Sequence, residues 1–415
     1  MKLFSALTLA VLSLPLPLLD AQVSYQLGDG FSVESPYSYD AGAPFELQIG
    51  GLAISMRGEI IINEGGEIRI HREDGPLVLA TFSPGLFGSF LVLDPDGRSV
   101  WFGESSEHNI YRIGMEAGGA ELIDRIDFNF DMAFAPPGAP GKFAGKGFIT
   151  GLGDSPENSL WLLDNDPGTP NTEIIAGISP FSGPVTFDEV GNLYLVTSGL
   201  TDSRTGLPAE KLIRFSAGRV AEAVSGNTLQ PADGDVLRTE MAGLYNLAWL
   251  DGRLYGTNLG FQSGGGSIDV IDPQQGFTQA SFARLELGQE TGGSMIFLSA
   301  RAGPAGFEPG SGQDGGSLLA SYGNYVDISG ISLFTPELYF LRGDSNHDNE
   351  VDISDAVSII SYLFLDGGAL QPEQASDINA DGALDLADAI YLLNFLYRGG
   401  PQPPAPFPQT GAVPR

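Results

Sequence analysis

The stretch VTFDEVGNLYLVTSG, residues 185–199, reads as strand, turn, strand. Apolar residues crowd both flanks, and the Gly-Asn step between them supplies the two residue types that tolerate a positive φ in a tight hairpin. The pattern recurs on either side. AISMRGEIIIN (53–63), LVLDPDGRSVWFGE (91–104) and LAWLDGRLYGTNLG (247–260) repeat it, and MAFAPPGAPGKFAGKGFITGLG (132–153) repeats it with a turn expanded by Pro and Gly. A short apolar run follows each hairpin: GEIRIHR (66–72), HNIYRIG (108–114), NSLWLLD (158–164), EKLIRFS (210–216) and GSIDVID (266–272). A weaker sixth pair is GSMIFLSA (293–300) with GSLLASYG (316–323). The turn glycines Gly58, Gly97, Gly147, Gly191 and Gly252 stand about 40 to 60 residues apart, the length of a four-stranded unit.

This period predicts a mainly β fold, a six-bladed β-propeller over residues 22–336. Strands at regular spacing also suit a pair of β-sandwiches, which is the alternative. A propeller needs a strand from its beginning to complete its last blade; SYQLGDGFSV (24–33) and APFELQI (43–49) are the two candidates. FDEVGNLYLV (187–196), with the other hairpins, resembles the six-bladed NHL-type and gluconolactonase-like propellers, a resemblance that specifies architecture rather than activity.

The bulk numbers narrow the function. With 52 acidic and 20 basic residues, the formal net charge of −32 repels nucleic acid and anionic membranes and suits divalent cations. The chain has no Cys, and therefore no disulfide, thiolate metal site or cysteine nucleophile. Residues 1–21, MKLFSALTLAVLSLPLPLLDA, join a positive start to an apolar run interrupted by two prolines, which predicts a signal peptide cleaved after Ala21. The mature protein is then expected to be secreted, with no membrane span.

From Glu337 the texture changes. RGDSNHDNEVDISDA (342–356) and SDINADGALDLADA (376–389) place oxygen-bearing side chains at one spacing, offset by 33 residues. Counting Asp344 as position 1, positions 3, 5, 7, 9 and 12 are Asn346, Asp348, Glu350, Asp352 and Asp355; from Asp377 they are Asn379, Asp381, Ala383, Asp385 and Asp388. Side-chain oxygens at 1, 3 and 5, a backbone carbonyl at 7, a ligand or ligand-held water at 9 and a carboxylate at 12 are the calcium loop of an EF-hand. Calcium takes six to eight oxygens at about 2.3–2.6 Å, and the carboxylates cancel its charge. Position 6 is Gly382 in the second loop and Asn349 in the first, and both tolerate the sharp turn. Each loop runs into a helical pattern, with Val357, Ile360 and Phe364 on one face of the first and Ile390, Leu393 and Tyr397 in the same places of the second. These apolar faces are expected to pack between the two halves. YFLRG (339–343), which leads into the first loop, is too short to be the entry helix of an ordinary EF-hand and ends in Gly.

Loop-plus-exit-helix units, Asp at position 12 and two copies about thirty residues apart resemble the type I dockerin, over residues 337–400. The resemblance implies a small α-helical module that binds two Ca2+ ions and docks on a cohesin, often in polysaccharide-degrading assemblies. At positions 10 and 11, where cellulosomal dockerins carry Ser-Thr-type pairs, this chain has Ile353-Ser354 and Leu386-Ala387, so calcium binding carries over from the resemblance and the cellulosomal partner does not. Residues 401–415, PQPPAPFPQTGAVPR, have no core-forming pattern and are expected to be extended or disordered.

No catalytic residue is legible. His71, His108 and His347 show no clustered ligand spacing, and neither a nucleophile elbow nor a phosphate loop is present. Glu64, Glu104, Asp154, Asp188 and Asp251 fall at blade edges, where channel-facing acids would hold a metal or sugar; Asp188 and Asp251 read better as turn residues. The sequence supports a secreted binding protein whose propeller takes a protein or glycan ligand and whose module docks on a cohesin-type partner. The alternative is a polysaccharide hydrolase or lyase delivered by that module. A carboxylate cluster in the channel would separate the two.

Overall fold

The computed structural model describes residues 23–27, 31–40, 49–72, 75–83, 88–116, 118–152, 157–164, 169–178, 183–197, 210–239, 244–250, 252–258, 266–273, 276–287, 294–301, 317–323, 328–336, 339–346, 350–365, 370, 373–408 and 411–412. The expected signal peptide lies outside them.

Antiparallel sheets follow one another along the chain, each with its first strand innermost. The first is Ile49–Ile54, Ile60–Glu64, Glu67–Arg72 and Gly75–Thr81; the second is Gly88–Leu93, Ser99–Glu104, Asn109–Gly114 and Ala120–Arg125. The third is Met132–Phe134, Gly147–Gly151, Ser159–Leu162 and Thr172–Ile175; the fourth is Val185–Phe187, Leu193–Val196, Lys211–Phe215 and Asp235–Thr239. The fifth is Leu244–Leu250, Arg253–Asn258, Ser267–Asp272 and Thr278–Leu287, and the sixth begins Ser294–Arg301, Ser317–Gly323, Ile328–Pro336. The innermost strands touch in order, and Ser294–Arg301 returns to Ile49–Ile54, so the ring closes as a β-propeller. Five of the sheets have four strands, but the fifth has a fifth strand because Val23–Leu27 adds to the edge of Thr278–Leu287. That departs from a uniform four-stranded repeat.

The closing strand is Phe31–Asp40, antiparallel to Ile328–Pro336. It shares only Phe31–Val33 with one expected candidate and nothing with the other. Its register shifts between Glu34 and Tyr37, which leaves Pro36 out of the ladder that a residue without an N–H cannot complete.

Adjacent blades bury both faces of their inner strands, so those strands are apolar throughout rather than alternating. Between the first and second sheets lie Ile61, Ile68, Ile70, Val100, Phe102 and Ile113. Between the second and third lie Phe90, Trp101, Ile110, Ile123 and Ile149. The hairpin at residues 188–192 shows how the sequence sets each inner pair. Asp188 accepts from Val190 N at 3.2 Å and from Asn192 N at 2.8 Å, and Gly191 takes φ +89°. In the third sheet the left-handed turn glycines are Gly141 and Gly145, whereas Gly147 opens the returning strand. A helix, Ala217–Val224, capped by Ser216, interrupts the fourth sheet before its outer strand; its residues carry no strand period.

The C-terminal part holds helices Ile353–Phe364 and Leu386–Arg398 and the short helix Glu373–Ser376. Its core is Ala356, Ile359, Leu370, Ile378, Ala389 and Leu392. Val351 and Leu384, at position 8 of each loop, pack against it. No helix among the described residues is long and apolar enough to cross a membrane.

Closure predicts the effect of truncation. Deleting residues 1–40 leaves the sixth sheet without its outer strand, and the melting temperature should fall by roughly 10 °C or more. Deleting everything after Pro336 should leave a cooperative melt close to that of the whole chain. Aggregation of the second variant under calorimetry would show that the propeller does not fold alone.

Candidate functional site

The second acidic loop is fully described and shows the geometry. Asp377 accepts from Asp381 N and Gly382 N, both at 3.1 Å, and Gly382 takes φ +85°. Asn379 Oδ1 accepts from Asp381 N at 2.8 Å, and Asp381 Oδ1 accepts from Ala383 N at 2.9 Å. Asp385 caps helix Leu386–Arg398 by accepting from Ala387 N at 2.7 Å. Asp388 then reaches back, accepting from Asp385 N at 3.0 Å and from Asn379 N at 3.2 Å. Local hydrogen bonds therefore hold these oxygen-bearing side chains in one turn of backbone.

The first loop repeats this where it is described. Asp355 accepts from Ser345 N at 2.7 Å, Asn346 N at 3.2 Å and Asp352 N at 2.9 Å, and Asp352 caps helix Ile353–Phe364. Glu350, like Ala383, is exposed, as a residue that offers only its carbonyl can be. His347 and Asp348 lie outside the described residues. Asp355 and Asp388 are fully buried. Burial pushes both carboxyls up from the usual carboxylate range; hydrogen bonds from backbone N–H groups oppose this, and the nearby Asp344 and Asp377 push them further up. A buried acid beside another acid fits a bound cation, which reverses both effects. Among the described residues no three acidic or His side chains converge by themselves. The loop pattern does not require that, because it also uses an Asn oxygen and a main-chain carbonyl.

The helices correct one expectation. Ala356 and Ile359, with Ala389 and Leu392, make the buried face. Val357 (55% exposed), Phe364 (63%), Ile390 (50%) and Tyr397 (64%) do not pack between the halves. Ile353 and Leu386 join them on the surface. The helices are apolar around more than half their circumference, so three-and-four spacing fits two faces; small Ala356 and Ala389 let the other face close. Two exposed apolar stripes result, Ile353–Val357–Phe364 and Leu386–Ile390–Tyr397, related by the same 33-residue offset as the loops.

The tail is a second correction. Phe407 packs edge-to-face on Phe395 with ring centroids 5.3 Å apart, Tyr391 Oη donates to the Gln402 carbonyl at 3.0 Å, and Gly411–Ala412 pairs with Tyr339–Phe340. Residues without a helical or strand period fold back because isolated aromatic and carbonyl groups find partners on the module.

In the propeller, a cavity of about 400 Å³ runs along the channel from the hairpin ends, at Ser55, Met56, Asp94 and Trp249, inward to Asp131 and Asn246. Asp131 accepts from Met132 N at 2.9 Å, Val185 N at 3.0 Å and Asn246 Nδ2 at 3.1 Å, and Asn246 Oδ1 accepts from Leu298 N at 3.1 Å. Four sheets are thereby tied across one end of the channel. Burial pushes the Asp131 carboxyl up to about 7 despite those donors. Asp94, the other acid lining the cavity among the described residues, accepts from Trp101 Nε1 at 3.0 Å and Asp96 N at 3.2 Å.

Of the acids picked out at blade edges, the described ones, Glu64, Glu104 and Asp188, do not line this cavity. Burial works to raise Glu104, but hydrogen bonds from Ser106, Asn109 and Glu107 hold it below the usual range. Glu64 stands 3.5 Å from Arg69 at the end of its strand, and burial pushes it up. Asp188 is a turn residue; Asp154 and Asp251 lie outside the described residues. Burial, with the Arg69 charge nearby, pushes the His71 imidazole down from its ordinary value, and His108 faces Asp127 at 3.4 Å. Sequence reading missed Asp131. Its one signal is an acid set between Phe130 and Met132 at the start of an inner strand.

Residues 342–397 match the Dockerin type I domain, a domain type that binds calcium and docks on cohesins. No curated protein matches the chain. Among solved structures, the pyranose dehydrogenase PQQ domain from Coprinopsis cinerea is similar with a TM-score of 0.50 and 10% identity, over 76% of this chain and 97% of that one. The gluconolactonase from Xanthomonas campestris is similar at 0.46 and 16% identity, over 75% and 91%. The PQQ-bound aldose sugar dehydrogenase from Streptomyces coelicolor is similar at 0.42 and 14% identity, over 74% and 100%. At 10% identity the likeness to the Coprinopsis cinerea domain is one of fold alone, and the chain joins a β-propeller to a C-terminal type I dockerin domain.

Proposed function

We propose that this is an exported calcium-dependent docking protein: its C-terminal module, residues 337–400, binds two Ca2+ ions and attaches to a cohesin-type partner, and its propeller, residues 22–336, presents a binding surface for a protein or glycan. Asp344, Asn346, Asp348, Asp352 and Asp355 hold one ion with the Glu350 carbonyl. Asp377, Asn379, Asp381, Asp385 and Asp388 hold the other with the Ala383 carbonyl. Bound calcium supplies the positive charge that lets Asp355 and Asp388 stay ionised inside the module, and so links metal binding to folding.

The pair of exposed apolar stripes carries the docking reading. A soluble module of this size rarely leaves such side chains uncovered unless a partner covers them. Because the stripes repeat with the loops, either one presents the same chemistry, with the module turned end for end. The hydrolase or lyase reading calls for free carboxylates in the channel. Among the described residues, the two acids lining the cavity, Asp94 and Asp131, instead spend their oxygens on the protein's own donors. That favours binding over catalysis.

Asp344→Ala and Asp377→Ala should each remove one bound calcium from the whole chain, and His347→Ala should remove none; calorimetric stoichiometry reads this, and an unchanged count in the Asp variants would refute the ligand register. In docking, Val357→Glu with Phe364→Glu, or Ile390→Glu with Tyr397→Glu, should leave partner capture from the native secretome within about twofold. The four substitutions together should lower affinity by two orders of magnitude or more, a loss typical of removing several apolar anchors. Undiminished capture by the fourfold variant would place docking elsewhere.

The reading of Asp131 as a structural tie has its own test. Its folded value near 7 lies above the ordinary 3.8, so between these values the native state keeps a proton that the unfolded chain has released. The resulting stabilisation is complete below pH 4 and is lost as pH rises to 7. Relative to Asp131→Asn, which has no such titration, the wild type should lose about 4 kcal/mol across that window in denaturant unfolding. A pH-independent difference between the two would mean that Asp131 stays ionised in the fold.

A further inference from the structure

Arg342 precedes the first loop and is only 7% exposed. Its Nη1 donates to the carbonyl of Gln374 at 3.1 Å and to that of Asp377, and its Nε donates to the carbonyl of Ala405 at 3.2 Å. The same Nη1 stands 3.8 Å from the Asp377 carboxylate, and the guanidinium lies 5.2 Å from the Phe340 ring centre. Beside it, Gly343 N donates to the Ala375 carbonyl at 2.8 Å. One buried cation therefore joins the approach to the first loop, the residue that begins the second loop, and the tail. The tail is held at further points by Phe407 on Phe395, Gln402 on Tyr391, and the pairing of Gly411–Ala412 with Tyr339–Phe340.

The arrangement is one-sided. Thirty-three residues on, the place of Arg342 is taken by Ala375, so the corresponding position offers no guanidinium to the first loop. Arginine suits it because its planar fork offers several donors, is weakly hydrated and does not lose its proton. Each donor left without a carbonyl in this buried setting is costly, so removing the tail disturbs the cation, and disturbing the cation frees the start of the second loop.

We infer that Arg342 is a positioning residue for the second calcium loop, and that the tail, through residues 401–408 and 411–412, is the other half of the clasp. Closure of the tail and calcium binding at Asp377–Asp388 then favour one another by the same factor, as linkage requires. This rests on the calcium reading above.

The test uses the full-length chain and calcium alone, titrated calorimetrically. In an Asp344→Ala background only the second loop binds; in an Asp377→Ala background only the first does. Arg342→Met, and separately deletion of residues 401–415, should each weaken the second loop roughly tenfold and the first less than twofold. Combining them should add little, because both break one set of contacts. Arg342→Lys should behave like the Met variant, since an ammonium cannot span the same carbonyls. Equal weakening of both loops would make the clasp a general stabiliser, and unchanged affinities would make it irrelevant to calcium; either result overturns the inference. If the unmodified chain binds no calcium, the proposed function falls first and takes this inference with it.

Discussion

A ring of blades has to be closed, and the chain closes it with its own beginning. Phe31–Asp40 lies against Ile328–Pro336, so the last sheet cannot be completed until nearly three hundred residues have been brought around the channel. Such pairing is non-local and entropically demanding. What rewards it is the burial of both faces of every inner strand between neighbours. Once the ring shuts, strands such as Gly147–Gly151, buried at every position, have no solvent side.

Closure also creates a polar problem that Asp131 and Asn246 solve. The innermost strands have no neighbour on their channel side, and backbone N–H groups there need acceptors away from bulk water. Asp131 takes those of Met132 and Val185, and Asn246 takes that of Leu298. Their mutual hydrogen bond makes the arrangement continuous across four sheets. A carboxyl placed to serve backbone donors in a dry setting is pushed up to about 7 as a consequence of where it sits. A perturbed acid in a cavity often marks catalysis. Here every acceptor of that acid is accounted for by the fold.

Legibility followed how tightly chemistry constrains spacing. The acidic loops stand out in the sequence because their oxygen-bearing residues fall at fixed intervals; Gly382 makes the expected left-handed turn, while the capping of both exit helices by Asp352 and Asp385 is seen only in the structure. The blades were readable from hairpins such as Asp188–Asn192, whose turn chemistry is local. Phe31–Asp40 was not, since its partner is distant and Pro36 breaks its period. The choice of buried helix face was not either. Val357 and Ile359 are both apolar, and only the second helix decides which is covered. Asp131 and the tail depend on donors and rings supplied from far along the chain, which no local pattern records.

The module's symmetry and its breaking belong to different sides of the same helices. The stripe Leu386–Ile390–Tyr397 occupies one line along its helix, whereas Tyr391 and Phe395, which hold the tail, lie about 100° or more around from it. On the other helix the corresponding positions are Ser358 and Tyr362, and Tyr362 is 37% exposed. The tail thus makes the halves unequal without covering either stripe. A duplicated sequence alone would yield two equivalent loops and two equivalent apolar stripes. Both stripes therefore stay exposed, while the start of the second loop and its exit helix make contacts with Arg342 and the tail.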